Sequence, residues 1–480
     1  MGLSYTQTRL QMDIEDIVKP YDSSKEYHPY FIATAKIHTV EKDIGVESNV
    51  IVHSLKIERD YIENLHDYME LQLLIPPGVF FYDIYDYLNN LEVTLSLSKQ
   101  LSDRGVPNIV SERYRAIYPL DKNKNYPNIQ SQKREDLNQL TPFVVTLQLV
   151  DRSAEALRIK TTSGSFDPKI TQNKDMSPSS VLKSIISTEA SKILVENKPI
   201  LDAIEIEPME NTEKLQAFTL KSKTRVVELA DHLQENNIGL YTGGVGSYLQ
   251  RFAKDYKTFK KTYSVYSLYN TNKYDSATYK TIFYLPHMST QGLSESITYK
   301  YEDGILKVLG HTSTRIEDNK DSLVLSYGTG FRSSQARSFM KKPVVIDENG
   351  NPQFKSDSLV TQITYEDRAD GVNFAPNVGI ESNNFKLISD TLKRKGKYIN
   401  IEVNHLDPDY IFPAGKCKIR YENKENNLFE LDGVIHKAYF HFFQEGKNVA
   451  SRYALGRAEL YCKAVIAVFC LDGGKNVDDS

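Results

Sequence analysis

The chain has 480 residues, of which 40% are apolar and 25% are charged, a composition typical of an ordinary globular protein with roughly three domains. Its formal net charge of −4 argues against a dedicated nucleic-acid binder, because such proteins normally carry a strong basic excess. Its three cysteines include no C-x-x-C pair, which argues against a disulfide framework or a zinc site and favours buried free thiols.

Two further features of the composition concern partners and membranes. The 31 Tyr and 20 Phe are typical of half-buried sheets that meet partners, although a compositional bias of the genome explains them equally well. The longest apolar run, residues 464–471, is too short to span a bilayer, so we expect no membrane insertion. Residues 1–6 match the N-myristoylation pattern, which is short and matches many sequences by chance.

The N-terminal third alternates between apolar and polar residues in three places. Residues 71–75, 91–97 and 143–149 each show the period of two that is typical of a strand with one buried face. Residues 79–90, after two prolines and a glycine, are predicted to form a short helix. Residues 99–141 are rich in Asn, Lys, Asp and Pro, so we expect a long polar insertion or mobile loop there.

The middle of the chain contains helical patterns. Ser177 and Pro178 are typical of a helix start, and residues 181–186 supply the apolar stripe. A second helix is predicted from about residue 224 to the asparagines at 236–237. A third is predicted at 383–395, where a basic end complements the helix dipole before the chain enters the next strand.

β patterns surround these helices. Residues 238–241 are predicted to form a short strand, and residues 263–330 return to Tyr-rich alternation with frequent turns. Residues 347–352 (DENGNP) indicate a hairpin turn.

The C-terminal part has a clear pattern of three antiparallel strands, at residues 399–403, 416–421 and 428–442. In the second strand Ile419 is predicted to face the core, whereas the basic residues Lys416, Lys418 and Arg420 face water or a partner. Gly433 is predicted to be a bulge or kink in the third strand. Such strands cannot bury their apolar face alone, so they need a barrel or sandwich to close onto.

The end of the chain allows two interpretations. Residues 457–470 form a last strand if the β-rich residues near the C-terminus dominate, and residues 449–468 form a helix otherwise. We prefer the strand. The fold class is therefore α+β and mainly β. The domain boundaries that we predict are 1–160 (β domain with the polar insertion 99–141), 161–262 (α/β region), 263–396 (β-rich region ending in a helix), 397–471 (β barrel) and 472–480 (flexible tail).

Three groups of polar residues raise the question of a metal or ligand site. His436 and His441 lie five residues apart on a predicted strand, so they point to opposite faces and cannot share a metal without a bulge. His405, Asp407 and Asp409 are typical either of hard-cation ligands or of a turn before a proline. The carboxylates between residues 205 and 213 are interpreted as a solvated face, not as a paired acid and base: Glu205, Glu207, Glu210 and Glu213.

Two segments raise the question of phosphate binding. Residues 241–247 (YTGGVGS) follow a predicted strand, but they lack the P-loop lysine and the GxGxxG spacing, which favours a plain turn or hinge. Residues 254–263 mix lysines with aromatic residues and could touch a phosphate backbone, although a surface loop or a protein interface explains them better. The sequence therefore predicts no catalytic, cofactor-binding or metal-binding residue.

The order of elements resembles that of the central baseplate hub proteins of contractile-tailed bacteriophages, which are related to the hub half of type VI secretion spike proteins. The resemblance covers most of the chain as an order of elements and only the C-terminal part as a motif. Two departures are the regions 99–141 and 263–380, which are longer than the family needs. No spike or lysozyme-like module is appended, so a separate protein would supply the spike. The segments that carry the resemblance are 143–150, 178–186, 224–241, 383–395, 412–416 (FPAGK) and 431–437 (LDGVIHK).

The resemblance implies a homotrimer in which each subunit contributes two tail-tube-like β barrels that flank an α/β middle region. Three subunits then present six barrels in a ring, which joins the sixfold tail tube protein above to the threefold spike protein below and meets other baseplate proteins. Genome DNA passes through the channel without specific binding. Such a hub is located in the virion, in the tail baseplate, after synthesis in the bacterial cytoplasm, and needs no cofactor.

Two other functions stay open. A cell-wall hydrolase or peptidase of the same particle would need paired acids or a nucleophile in a cleft, which the sequence does not show. A distal-tail ring or adaptor protein that shares the barrel would assemble as six subunits instead of three. The symmetry of the assembled ring separates this protein from the hub.

Overall fold

The computed structural model describes residues 31–99, 108–122, 141–166, 177–195, 197–210, 218–236, 240–241, 244–255, 258–285, 298–302, 304–318, 331–332, 344–346, 352–354, 397–422, 428–444, 458–470 and 475–476. Within these ranges the protein is mainly β. The strands up to residue 206 are β1 (Phe31–His38), β2 (Asp43–Ile44), β3 (Ile51–Asp60), β4 (Tyr68–Ile75), β5 (Leu91–Lys99), β6 (Asn108–Ile117), β7 (Phe143–Asp151), β8 (Thr161–Phe166), β9 (Leu194–Val195), β10 (Lys198–Pro199) and β11 (Ala203–Ile206). The later strands are β12 (Phe218–Arg225), β13 (Val245–Asp255), β14 (Thr258–Ser267), β15 (Lys280–Leu285), β16 (Tyr299–Glu302), β17 (Ile305–Leu309), β18 (His311–Asp318), β19 (Phe331–Arg332), β20 (Val344–Ile346), β21 (Pro352–Phe354), β22 (Lys397–Asn404), β23 (Lys416–Glu422), β24 (Leu428–Phe443), β25 (Ala458–Cys470) and β26 (Lys475–Asn476).

The helices of eight or more residues in the described ranges all lie in the middle of the chain: α1 (Arg152–Ile159), α2 (Pro178–Ala190) and α3 (Leu229–Asn236). Asp151 caps α1, because its carboxylate accepts hydrogen bonds from the backbone N–H groups of residues 153 and 154. The predicted helix at 177–186 is confirmed by α2. The helix predicted from about residue 224 is confirmed only in its later part, because residues 224–225 still belong to β12 and a short 3-10 turn, Val226–Glu228, precedes α3. The predicted helix at 79–90 is a helical segment of three short turns, Pro77–Val79, Phe80–Ile84 and Tyr85–Tyr87, here called the helical segment 77–87.

One large sheet of sixteen strands combines both ends of the chain. Its pairings follow the order β16-β17-β15-β23-β24-β3-β4-β7-β6-β5-β1-β25-β22-β18, and β24 also pairs with β25. The two C-terminal strands β24 and β25 therefore contact strands from the first and the last thirds of the chain. β24 has 16 residues and β25 has 13, well above the length of about 5–6 residues that is usual for a strand.

The N-terminal half of the sheet is a closed circuit of pairings. Starting from β24, the circuit runs through β3, β4, β7, β6, β5 and β1 to β25, which pairs with β24 again. All of these pairings are antiparallel. Eight strands thus return on themselves, and six of them come from residues 31–151.

The C-terminal half attaches six other strands to the same two shared strands, and its described pairings end at β16 and β18 without closing. From β24 the pairings run through β23, β15 and β17 to β16, and from β25 they run through β22 to β18. β15 pairs in parallel with both β17 and β23, whereas all the pairings of the N-terminal circuit are antiparallel. Both halves therefore consist of six strands of their own and the same two shared strands.

A smaller sheet and the three helices build a second core beside the large sheet. β11, β14 and β13 form this sheet, with β11 parallel to β14. Apolar residues of α1, α2 and α3 pack with β13 and β14 in one hydrophobic cluster, distinct from the cluster that fills the large sheet. The large-sheet cluster is continuous from β1 to β25, so both halves share one core.

Several strand predictions are confirmed in detail. β4, β5, β7, β22, β23 and β24 occupy the segments that the period-two pattern indicated. Ile419 is fully buried on β23, whereas the side chains of Lys418 and Arg420 are 22% and 25% exposed, which confirms the predicted facing of these residues. β20 and β21, on either side of the predicted hairpin turn, pair with each other. All three cysteines are free and buried.

The polar insertion predicted at 99–141 is wrong in its first part, because β6 occupies Asn108–Ile117. Tyr114 and Ala116 on this strand are buried, and the arginines between and before them lie in ion pairs on the outer face. Arg113 contacts Glu92, and Arg115 contacts Glu155 at 2.7 Å. The composition resembles a loop because Ser111, Arg113 and Arg115 occupy successive outward positions of the strand.

Of two further predictions for the C-terminal strands, the one for Gly433 needs correction and the preferred strand at the end of the chain is confirmed. Gly433 is not the bulge, since the register shift in β24 lies between Ile435 and Lys437. A Cβ on Gly433 would lie 2.5 Å from Cγ1 of Val468, so the glycine allows β24 and β25 to approach closely. The last segment is the strand β25 and not a helix.

The remaining predictions concern a short strand at residues 238–241 and two segments outside the described residues. Leu240 and Tyr241 lie outside any strand, because the side chain of Gln234 binds their backbone groups in place of a strand partner. The predicted helix at 383–395 and the N-terminal residues 1–6 lie outside the described residues.

Candidate functional site

The candidate functional site is the place where the two shared strands pass from one half of the large sheet to the other. Along one edge, β24 pairs with β23 up to Val434 and with β3 from Lys437 onward. Along its outer edge, β25 pairs with β1 at Leu460 and with β22 from Lys463 onward. The partner exchange on β24 therefore coincides with the register shift at His436.

His436 is the extra residue of this bulge, and it is fully buried. Its Nε2 donates a hydrogen bond to the Leu268 carbonyl oxygen at 2.7 Å, and its Nδ1 accepts one from the Tyr398 hydroxyl at 2.9 Å. The imidazole stacks on Phe469 of β25 with an interplanar angle of 7°, and the His436 carbonyl accepts from the Tyr61 N–H at 2.9 Å. One side chain therefore connects β22, β24, β25 and the end of β14.

This environment keeps the imidazole neutral. Burial lowers the pKa of His436 to about 4, and the hydrogen bond to the Leu268 carbonyl opposes this shift only in part. The neighbouring Lys416 and Lys437 ammonium groups lower the pKa further. His441 is half-buried and pairs with Lys463, an even number of residues from Phe469 along β25. The prediction that the two histidines face opposite ways is therefore wrong, because the bulge at His436 shifts the alternation between them.

A buried charged cluster, here called the junction network, joins the N-terminal half of the sheet to the middle region and to the turn Pro408–Tyr410. Arg59 at the end of β3 is its centre and is only 3% exposed. Its guanidinium donates to both Asp67 oxygens at 3.1–3.2 Å and to the carbonyls of Pro408 and Ile411. The Tyr248 hydroxyl of β13 also donates to Asp67, at 3.0 Å.

The junction network continues through β13 and β14 to the N-terminal half. Arg251 lies 2.8 Å from Glu112 on β6, and Lys261 lies 2.5 Å from the same carboxylate. Lys261 also contacts Asp151, the cap of α1, at 2.8 Å. Burial disfavours the charged form of Asp151, but Lys261 and the N–H groups of α1 together hold its pKa below the usual range. These acids and bases therefore neutralise one another within the junction network.

Asp409 lies next to this network. Burial, together with the nearby Asp407, raises the pKa of Asp409 to about 6, although Arg251 and Arg59 favour its charged form. Asp407 itself caps the turn Pro408–Tyr410, because its carboxylate accepts from the Asp409 N–H at 3.0 Å. Of the two interpretations of this segment, the structure shows the turn before a proline.

A second polar contact joins the middle region to the C-terminal half. Lys416 was predicted to face water, but it is buried, and its Nζ donates to the Ser267 carbonyl at 3.1 Å and lies 3.5 Å from Glu207. Glu207 also accepts from the Ser267 N–H at 2.9 Å, and Glu205 accepts from the Tyr279 hydroxyl. Glu205 and Glu207 therefore bind neighbouring residues of the fold through hydrogen bonds and an ion pair, and they are not part of a solvated face.

The phosphate-binding candidates have ordinary structural positions. Residues 245–247 belong to β13, and no helix follows them. A Cβ on Gly246 would lie 2.3 Å from the Tyr266 ring, so this glycine allows close packing of the hairpin β13–β14. Residues 254–255 and 258–263 belong to the two strands of the same hairpin, where Lys261 is neutralised within the junction network, and residues 256–257 lie outside the described residues. Within the described ranges, no group of three or more His, Cys, Asp and Glu side chains could hold a metal ion.

Sequence analysis did not find the junction network. Arg59 and its carbonyl partner at residue 411 are 352 positions apart, and no local pattern connects them. The signal that the sequence does contain is an arginine at the end of a strand, two and four residues after the apolar Ile57 and Leu55. No helix in the described part of the chain is long and apolar enough to cross a membrane.

No family model matches the sequence, and no curated protein matches it. Solved structures do show similarity. A Francisella PdpA–VgrG complex in its half-lidded state matches with 9% identity and a TM-score of 0.34, over 94% of this chain and 59% of that chain. The 43 kDa tail protein of prophage MuSo2 from Shewanella oneidensis matches with 11% identity and a TM-score of 0.38, over 91% of this chain and 97% of that one.

The phage P2 virion baseplate in its activated conformation is a third similar structure, with 8% identity and a TM-score of 0.28, over 91% of this chain and 98% of that one. These neighbours are a PdpA–VgrG complex, a prophage tail protein and a phage baseplate. The chain spans 59% of the chain that it matches in the PdpA–VgrG complex. At these TM-scores the similarity carries no argument about function by itself.

Proposed function

We propose that this protein is the structural hub of a contractile phage tail or a phage-like particle, a trimer that joins a sixfold tail tube to a threefold central spike. The observation that carries the proposal is the division of the large sheet into two halves, each with six strands of its own and the two shared strands β24 and β25. Three copies of a chain with two similar halves present six similar units. Such a chain matches a sixfold neighbour on one side and a threefold neighbour on the other.

Each half is a tube-like barrel in this proposal. The closed circuit of the N-terminal half supports it, because eight strands that return on themselves enclose an interior just wide enough for side chains to fill. The residues facing this interior are apolar, for example Leu71 and Leu73 on β4, Val93 on β5 and Phe440 on β24, all fully buried. The C-terminal half has the same number of strands and the same two shared strands.

The shared strands and the junction network support a mechanical role. Two strands that run through both barrels fix the angle between them, because bending there would break the β24–β25 ladder. Arg59, Arg251 and Lys261 then join the N-terminal barrel to the middle region through paired charges. A subunit built in this way holds its two barrels in one fixed arrangement, as a ring that bears load requires.

A distal-tail ring protein is the second candidate function. Such a protein reaches sixfold symmetry with six copies of one barrel. The presence of two eight-stranded halves in a single chain favours the hub, because six copies would present twelve barrels to a sixfold tube.

Binding to the tail tube protein of the same particle tests the proposed function. We expect the purified chain to bind one end of assembled tubes, which electron micrographs would show as a capped end at a ratio of three chains per tube. A chain that binds neither the tube protein nor the spike protein would contradict the hub. Binding of six chains per tube end would instead support the distal-tail function.

A further inference from the structure

The exposed large apolar side chains of the described residues lie in two places. The first group surrounds the helical segment 77–87 and is here called the aromatic patch: Val40, Tyr82, Tyr85, Leu120 and Val144. The second group lies beside α1 and the hairpin β9–β10 and is here called the basic patch: Ile159 and Leu194. Their exposed fractions range from 42% for Val144 to 75% for Leu120 and Ile159. Exposed apolar groups that cluster in this way indicate an interaction surface.

The aromatic patch has a rigid base. Phe81 stacks on Phe143 with ring centroids 6.3 Å apart, and Phe80 lies edge-on to Phe143 at 5.2 Å. Tyr85 packs against Phe81 with centroids 5.8 Å apart. Lys42, in the turn that carries Val40, forms an ion pair with Asp83 of the helical segment. The exposed side chains therefore stand on ordered aromatic packing, and binding a partner costs little conformational entropy.

The charges around the aromatic patch are acidic. Asp86 lies next to Tyr85 and Asp121 lies next to Leu120, and both carboxylates are exposed without an ion pair in the described structure. The lysines at the same rim are neutralised, because Lys42 binds Asp83 and Lys122 binds Glu70. A partner surface that fits this rim is apolar at its centre and basic around it.

The basic patch has this complementary character. Glu189 binds Lys160 at 3.3 Å and Lys192 at 2.6 Å, which places Ile159 and Leu194 around a single carboxylate. Arg158 and Lys198 at the rim are exposed and have no ion pair in the described ranges. Two ammonium groups share one carboxylate, and two further cations are free, so the rim is basic.

We propose that the aromatic patch of one copy of this chain binds the basic patch of a second copy. The contact joins two different surfaces, so it is heterologous, and repeating it with a fixed rotation closes a ring. The inference rests on the proposed function, which sets the number of copies in the ring at three. Three copies then make three such contacts. Opposite charges at the rims set the orientation, and the apolar centres supply the area that leaves water.

Two charge-introducing variants test the contact. Leu120→Arg places a cation opposite the basic patch, and Ile159→Glu places an anion opposite the aromatic patch. Both side chains are 75% exposed, so the fold does not depend on them. We expect each variant to weaken self-association by at least about tenfold in sedimentation velocity. The double variant Leu120→Arg/Ile159→Glu should restore association, because every contact of the ring then pairs the introduced arginine of one copy with the introduced glutamate of the next.

Asp275→Arg is the matched control, since Asp275 is exposed and lies outside both patches. It should leave self-association unchanged. A ring that persists in both Leu120→Arg and Ile159→Glu would overturn this contact and leave the proposed hub intact. Loss of tail-tube binding by Leu120→Arg with unchanged self-association would also overturn it and assign the aromatic patch to the tube protein. A wild-type chain that stays monomeric at about 50 μM, alone and with tube and spike proteins, would contradict both proposals.

Discussion

The buried imidazole of His436 sits where β24 exchanges one partner strand for another. Burial lowers the pKa of His436 to about 4, whereas an unfolded histidine titrates near 6.5. The neutral ring is therefore favoured in the folded state. Its contribution to stability is complete above pH 6.5 and is lost as the pH falls towards 4, because the unfolded chain then binds a proton that the folded chain does not.

His436→Gln tests this linkage. The variant should be less stable than the wild type at pH 7, because it loses the stacking on Phe469 and the bond from Tyr398. The difference in free energy of unfolding between wild type and variant should shrink by about 2 kcal/mol between pH 7 and pH 4.5. Only the wild type loses stability over this range, because its unfolded state binds a proton on His436. Urea unfolding of both chains at the two pH values measures this change. A difference that is constant with pH would show that His436 does not titrate below its ordinary pKa.

The facing of β23 can be tested with adjacent residues. Ile419→Asp buries an unpaired carboxylate in the shared core and should lower the free energy of unfolding by several kcal/mol, on the order of 3–5. Lys418→Gln, its neighbour and control, removes a partly exposed ion pair with Glu430 and should cost less than about 1 kcal/mol. Thermal or urea unfolding separates the two. Equal losses would contradict the observed register of β23.

Strands with one wet face could be predicted from the sequence at residue resolution, because burial of alternate side chains leaves a local pattern. The same rule failed at Lys416, whose position on the polar side of β23 is buried by Ser267 and Glu207 of the middle region. It failed at β6 too, where the outer face is charged and the inner face has few apolar residues. Contacts between distant segments decide both cases.

At the scale of elements, β24 depends on the close approach that Gly433 allows. Gly433→Ala should lower the free energy of unfolding by about 1–3 kcal/mol, because the added Cβ would lie 2.5 Å from Val468 and 3.1 Å from the Cys470 sulfur. Gly304→Ala is the control, since nothing lies within 4 Å of its added Cβ and only its positive φ of 79° opposes the change. Gly433→Ala should also make the amide hydrogens of β24 and β25 exchange faster with solvent. Gly304→Ala should leave these exchange rates unchanged.

The junction network also connects elements, because it joins the N-terminal half of the sheet to the middle region. Arg59→Met leaves the partly buried Asp67 without its cation and removes the guanidinium bonds to the Pro408 and Ile411 carbonyls, so it should cost about 3 kcal/mol. Adding Asp67→Asn should recover part of this loss, because the unpaired charge is then removed. A double-variant cycle by urea unfolding measures the coupling. Strictly additive losses would mean that Arg59 and Asp67 act independently.

Elements were predictable where a single segment decides them, as for α2, α3 and the strands of the C-terminal half. The pairing order was not predictable, because β24 and β25 pair with β3 and β1, some 370 or more positions earlier in the chain. The domain division into separate N-terminal and C-terminal β units stays a prediction, since one continuous core runs through both halves. The junction network was out of reach for the same reason.

At the scale of the whole molecule, the proposed hub follows from two similar halves on one pair of shared strands. Each half reaches eight strands only with β24 and β25, so neither half can form without the C-terminal residues 428–470. We therefore expect the two halves of the sheet to move together, so that in the proposed ring a single subunit sets their spacing.

The most direct test of the hub is the symmetry and mass of the ring that the purified full-length chain forms, alone or on the end of assembled tail tubes. Two-dimensional class averages, together with the mass from light scattering, should show three subunits and six barrel-like densities of equal size around a central channel. A ring of six subunits, or a ring in which each subunit contributes a single density to the channel wall, would contradict the account.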